Sequence, residues 1–190
     1  MAASAPEPDA IVDRLATLFR SHPAWTRAAA LLSADACSNL RFPHRAGEVW
    51  HLARVAGVTR LEPGALRDAD LELTIPPGAV GRLEATRGGV GDFAVALFEL
   101  AVERDEALRV DLRILAPFSR LMRRGYLRLL VAGGPAVLAW GAAHGVGSLG
   151  ELRRWIGRMR SGGGVSPRAR MPHAPGSGRS RSRGARKDPA

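Results

Sequence analysis

The stretch DLELTIPP, residues 70–77, reads as a strand that stops where two prolines follow it. Leu71, Leu73 and Ile75 fall on one side and Asp70, Glu72 and Thr74 on the other, the period of two of a pleated strand with one wet face. A wet face implies an antiparallel or mixed sheet with helices on its other side. Residues 108–114 repeat the pattern, with Leu108, Val110, Leu112 and Ile114 set against Arg109, Asp111 and Arg113.

Working outward, NLRF (39–42) and EVWHLARV (48–55) are predicted strands separated by a Pro-His-Arg-Ala-Gly turn. On the N-terminal side, Ile11, Leu15, Leu18 and Phe19 fall at helical spacing, and residues 24–34 offer a second helix after Pro23. On the C-terminal side, residues 79–85 predict a short helix. Residues 93–104 predict a longer one, for which Asp92 is the expected N-cap and Phe93, Leu97 and Leu100 a face. Pro117 opens another helix, with Phe118, Leu121 and Met122 inward, and Gly125 can end it in the left-handed conformation.

The next stretch, GYLRLLVAGGPAVLAWG (125–141), reads as a strand with Leu127, Leu129 and Val131 on one face, a double-glycine turn and a helix from Pro135. A last helix places Leu149, Leu152, Ile156 and Met159 inward and Arg153, Arg154, Arg158 and Arg160 outward. The class expected is α+β, with about five mostly antiparallel strands and helices packed on one face. Residues 9–160 form its single domain. Residues 1–8 and the Gly, Ser, Pro and Arg-rich segment 161–190 have too little apolar content to fold and are expected to be disordered.

A formal charge of +10 resembles a nucleic-acid signature until it is located. Residues 161–190 hold seven basic residues and one acid, a net +6, which leaves about +4 for the rest. That tail lacks an aromatic residue to stack a base, so it would bind nucleic acid or an anionic surface only weakly and in a salt-dependent way. Cys37 is the single cysteine; no disulfide framework or cysteine metal cluster can form, and a reducing, cytoplasmic setting is expected. Residues 129–150 contain no Asp, Glu, Lys or Arg, but six glycines and Pro135 interrupt them, which argues against a transmembrane span.

Motifs for chemistry are missing where each should stand. Gly133-Gly134-Pro135 precedes a helix, as a phosphate loop would, yet it has no Walker lysine, and Pro135 removes one of the N–H donors such a loop uses. Ser119 lies in PFSRL rather than in a nucleophile elbow, and Cys37 in DACSN has no local partner signature. His51 could meet Asp70 or Glu72 across the sheet. His22, His44, His51, His144 and His173 share no metal-ligand spacing, and Glu99 and Glu103 read as a solvated pair on one helix. No catalytic, cofactor-binding or metal residue is therefore assigned, and no enzyme activity is expected. What remains is apolar excess: residues 93–98 and 136–140 run almost without a polar side chain, and a helix apolar all round must be wrapped by protein, face a cavity or touch lipid.

Two segments, ADLELTIPPGAVGRL (69–83) and APFSRLMRRGYLRLLVAGGPAVLAW (116–140), resemble the sterol carrier protein type 2 domain family. The first matches that family's Ala-Asp pair leading through alternating aliphatics into a short helix; the second matches its order of helix, Gly, strand, Gly and apolar helix. The resemblance covers residues 49–145. It departs at 88–114, where a long apolar helix and a further strand are inserted, and at Gly134-Pro135, where the family more often has an acidic or polar residue after the glycine.

The resemblance implies an apolar tunnel for a sterol, fatty-acyl or isoprenoid-type ligand, and no catalysis by the domain. Phe93, Leu97, Phe118, Met122, Val137, Leu138 and Trp140 are the expected lining, with Arg123, Arg124 or His144 at a head group. The expected partners are a hydrophobic lipid and, in passing, a membrane surface. A rival reading is an interaction protein whose basic tail binds nucleic acid or anionic surfaces; a third is an enzyme with an unrecognised apolar substrate.

Overall fold

A computed structural model of the chain describes residues 8–160; the terminal segments expected to be disordered lie outside the described residues, apart from the backbone of Pro8, as do the side chains of Pro8, Asp9, Leu149, Arg158 and Met159. Two helices come first, α1 (Pro8–Ser21) and α2 (Pro23–Leu31). The strands β1 (Ser38–Arg41), β2 (Val49–Val55), β3 (Val58–Pro63) and β4 (Leu71–Thr74) follow. Helices α3 (Pro77–Ala85) and α4 (Val90–Val102) separate β4 from β5 (Asp111–Ile114). Four helices complete the fold: α5 (Phe118–Arg123), α6 (Tyr126–Ala132), α7 (Gly134–Ala143) and α8 (Leu149–Arg160).

The fold is α+β, as expected. Five strands form one sheet in the order β3-β2-β1-β4-β5, antiparallel except for the β1–β4 pair. Register aligns Leu40 with Trp50 and Leu73, Leu52 with Leu61, Leu71 with Ile114, and Leu73 with Leu112, so one face is almost continuously apolar. The helices pack there: Ile11, Leu15, Leu18 and Phe19 of α1 join Leu40, Leu52 and Leu73 in the main core. The opposite face is polar. Across it Glu72 accepts from Arg41 at 3.1 Å and Arg113 at 3.4 Å, a solvated ladder over three strands.

Three local readings are corrected. Residues 126–132, expected as a strand, form α6: Leu129 N–H donates to the Gly125 carbonyl at 3.1 Å, and the Leu-rich run satisfies helix propensity as readily as alternation. The fifth strand is instead β3, which closes a hairpin with β2 through Ala56 (φ 50°) and Gly57 (φ 81°). A two-residue turn with both φ positive matches strand twist, but alanine there is an unusual choice and conceals the hairpin. Finally, Asp92 is not the N-cap of α4; Gly89 is, and Asp92 reaches back from the first turn to accept the Gly89 N–H at 2.8 Å.

Candidate functional site

Between the apolar face of the sheet and the helices lies a cavity of about 200 Å³. Leu52, Leu71, Leu73, Leu112 and Ile114 form its floor. Trp25, Ala28 and Ala29 of α2, Phe93, Ala94, Leu97 and Phe98 of α4, and Leu129 and Leu130 of α6 form the roof, while Trp155 and Ile156 of α8 close one end. The space exists because alanines stand where α2 and α4 pass over the sheet. Filling it would take larger side chains, and the void leaves its lining without dispersion partners.

A second, more open cavity of about 490 Å³ adjoins the first. Phe98, Leu130, Leu152 and Trp155 line both and form the partition between them. The outer walls of the second cavity come from α6 and α7, including Leu127, Val131, Val137, Leu138 and Trp140. Gly133-Gly134 turns the chain as a double-glycine break, but it joins two helices that meet at 99° rather than reversing a strand into a helix. Gly134 holds φ 62°, and the Gly133 carbonyl sits so close to Gly91 of α4 that a Cβ on Gly91 would lie 2.2 Å from it. The crossing of α4 over α7 thus depends on a missing side chain.

The expected lining residues are distributed over both cavities. Phe93 and Leu97 stand in the first, and Val137, Leu138 and Trp140 in the second. Phe118 packs in a small cluster with Ile114, Ala116, Leu121 and Ile156, while the Met122 side chain is exposed; neither lines either of these two cavities. Of the three head-group candidates, Arg123 is exposed and Arg124 is bound elsewhere. His144 stacks on Trp140 with ring centroids 4.0 Å apart.

Polar groups in the first cavity are few: Cys37, Ser38, Arg54, Thr59 and Tyr126. Arg54 ties β2 to the end of α2, donating through Nη1 to the carbonyls of Ala29 and Leu32 at 2.9 Å. Its Nε and the indole nitrogen of Trp25 are buried and, among the described residues, have no hydrogen-bond partner. Both orphaned groups are donors, so the polar atom that would complement this wall is an acceptor oxygen.

One edge of the site is held by a buried carboxylate that the alternation placed on the wet face. Asp70, just before β4, is fully buried. Its Oδ1 accepts from Arg124 at 2.7 Å and lies 3.2 Å from Arg120 Nε; its Oδ2 accepts from the Tyr126 hydroxyl at 3.2 Å and the Cys37 N–H at 3.4 Å. This knot docks α5 and α6 at the N-terminal ends of the neighbouring strands β1 and β4. Burial first, and then the Asp70 carboxylate, push the Tyr126 hydroxyl well above the ordinary tyrosine range and the Cys37 thiol above its usual value. Cys37 accordingly stays a thiol, a poor nucleophile.

The remaining candidates for chemistry are engaged elsewhere. His51 Nδ1 donates to the Gly64 carbonyl at 2.9 Å, and Nε2 stands 3.8 Å from Glu62, not beside Asp70 or Glu72. Glu103 faces Arg82, Glu99 is exposed, and Ser119 is exposed on the first turn of α5. Among the described residues no cluster of three or more His, Cys, Asp or Glu is placed to hold a metal.

No protein-family model and no curated protein matches the chain. A solved structure described as a UbiJ-SCP2 ubiquinone synthesis protein is similar over 70% of this chain and 94% of that one, at 12% identity and a TM-score of 0.37. A likeness at that level carries no argument. The function of this chain has to be read from its own cavities.

Proposed function

We propose that the chain is a non-enzymatic lipid-binding or lipid-transfer protein that holds a sterol, fatty-acyl or isoprenoid-type ligand across its two adjoining cavities. The observation that carries this reading is the apolar lining shared by both, with a partition of four side chains between them. The second cavity alone falls in the range of about 300–1,000 Å³ usual for small-molecule sites. A flexible chain that passed the partition would also enter the first.

Such a ligand gains about 0.8 kcal/mol for each methylene it removes from water, so length rather than polar recognition sets its affinity. An acceptor oxygen, as in a carboxylate, ester or ketone, would satisfy the orphaned donor of Arg54 or that of Trp25. The resemblance of residues 69–83 to the sterol carrier protein type 2 pattern supports the same reading; that of 116–140 does not, because the strand it relied on is helix α6. Native mass spectrometry of the purified chain, followed by organic extraction, tests it. A co-purifying apolar molecule, or uptake of a sterol, fatty acid or isoprenoid quinone, is the expected result; a chain that arrives empty and takes up no member of that panel contradicts it.

A further inference from the structure

Helix α7 is an exception to the rule that a surface helix has a polar side. Its sequence, GPAVLAWGAA, has no charged residue, and only Val137 and Gly141 are buried. Pro135, Ala136, Leu138, Ala139, Ala142 and Ala143 all face outward, with Leu138 at 70% exposure. On α6, Val131 is also 70% exposed, and Arg128 stands one turn before it on the same helix face. Apolar side chains this open on a folded chain mark a contact surface.

We propose that the α6–α7 corner docks on an anionic lipid bilayer, with the outer face of α7 among the headgroups and Arg128 against lipid phosphate. Three observations favour a bilayer over a protein partner. The exposed face carries one large side chain among alanines and a proline, too few anchors for the centre of a protein interface, whereas a bilayer needs no complementary shape. Its flank is cationic at Arg128, and residues 129–150 contain no acid to repel an anionic surface. The second cavity is walled by Val131 and Leu138 themselves, so the docking face borders it directly, and a ligand passing between these exposed side chains would go from bilayer to cavity without crossing water.

The contact is peripheral. Among the described residues no single helix is long and apolar enough to span a membrane; α6 and α7 qualify only as a pair bent by 99°. Ten residues of helix extend about 15 Å, half of a hydrocarbon core of about 30 Å. Docking would give the proposed ligand its route, and so it builds on the lipid-binding reading, but it is measured separately.

The full chain is co-sedimented with vesicles of phosphatidylcholine alone and with vesicles in which phosphatidylserine replaces a quarter of it. Binding to the anionic vesicles is expected to be about tenfold stronger and to weaken as salt is added. Ala139→Glu, exposed and outside both cavities, and Arg128→Glu are each expected to reduce it severalfold with an unchanged melting curve. Uptake of a fluorescent fatty acid in vesicle-free solution should persist in both variants; its absence from the parent would refute the ligand reading alone. Docking at this corner is overturned if the parent ignores anionic vesicles or if both variants bind like the parent. It is equally overturned if Ala139→Glu instead dissolves a dimer of the parent, which would give the face to a second copy.

Discussion

The α1–sheet core and the α6–α7 corner are made of the same kinds of residue and are treated in opposite ways. Leu15 of α1 and Leu40 of β1 are completely buried, while Leu138 and Val131 are 70% exposed. The difference lies in the polar residues around them. Helix α1 carries Asp13, Arg14 and Arg20 opposite its apolar stripe, so the folding chain has one way to face it inward. Helix α7 has no such partner face, and nothing in its own pattern says which side belongs inside. Polar side chains thus decide where apolar surface goes, and a segment without them can be left at a boundary.

The largest expected effect tests whether the corner is held by the Asp70 knot rather than by greasy packing. Asp70→Ala leaves Arg120 and Arg124 facing an uncompensated site and should cost about 3–5 kcal/mol of stability by urea unfolding. A loss below about 1 kcal/mol would mean that apolar contacts alone dock α5 and α6. The next pair of variants sets the two regions side by side. Leu15→Ala should cost about 2–5 kcal/mol, because its cavity forms in a close-packed core, whereas Leu138→Ala should stay within about 0.5 kcal/mol. Equal costs would break the contrast.

How far the sequence reveals these regions follows the same division. The alternation of Leu71 and Leu73 with Glu72 and Thr74, ended by Pro76 and Pro77, places β4 and its faces, and α1 and α2 are legible for the corresponding reason at helical period. In residues 126–132 Leu127, Leu129 and Val131 satisfy the strand period while Leu127, Leu130 and Val131 satisfy the helical one, and only the tertiary setting selects the helix. The hairpin at Ala56-Gly57 is hidden because alanine does not advertise positive φ. Asp70 is deceptive in another way. It continues the polar side of the strand by count, but lies one residue before the pairing begins and turns to Arg120 and Arg124. Those two arginines, one helical turn apart after a short apolar segment, are the signal that could have located it. The cavities are the least legible part, since they arise from Ala28, Ala29 and Ala94 being small where a core residue would ordinarily be large.

The smallest effect is pH-dependent and belongs to the knot. Tyr126 is the chain's single tyrosine, and its folded-state ionisation is raised above the ordinary value of 10. Above that value the unfolded chain loses its phenolic proton while the folded chain keeps it, so the folded state holds more protons and stability falls as pH rises. Below it both states are protonated and the group has no influence. Urea midpoints should therefore decline as pH rises from 9 to 11, Cys37 contributing with the same sign, and Tyr126→Phe should make the decline shallower. An identical slope in the variant would place the titrating group elsewhere.

The central claim is that the space between α4 and the sheet is a ligand cavity and not a packing defect. Leu97→Trp tests it most directly, because Leu97 lines the first cavity and a larger ring there has empty volume to enter. The measurement is made on one variant in two ways, as affinity for a fluorescent fatty acid or sterol and as melting temperature. The account predicts clearly weakened binding with a melting temperature close to that of the parent. Unchanged binding, or a loss of about 1–3 kcal/mol of stability as expected of an overpacked core, would contradict it.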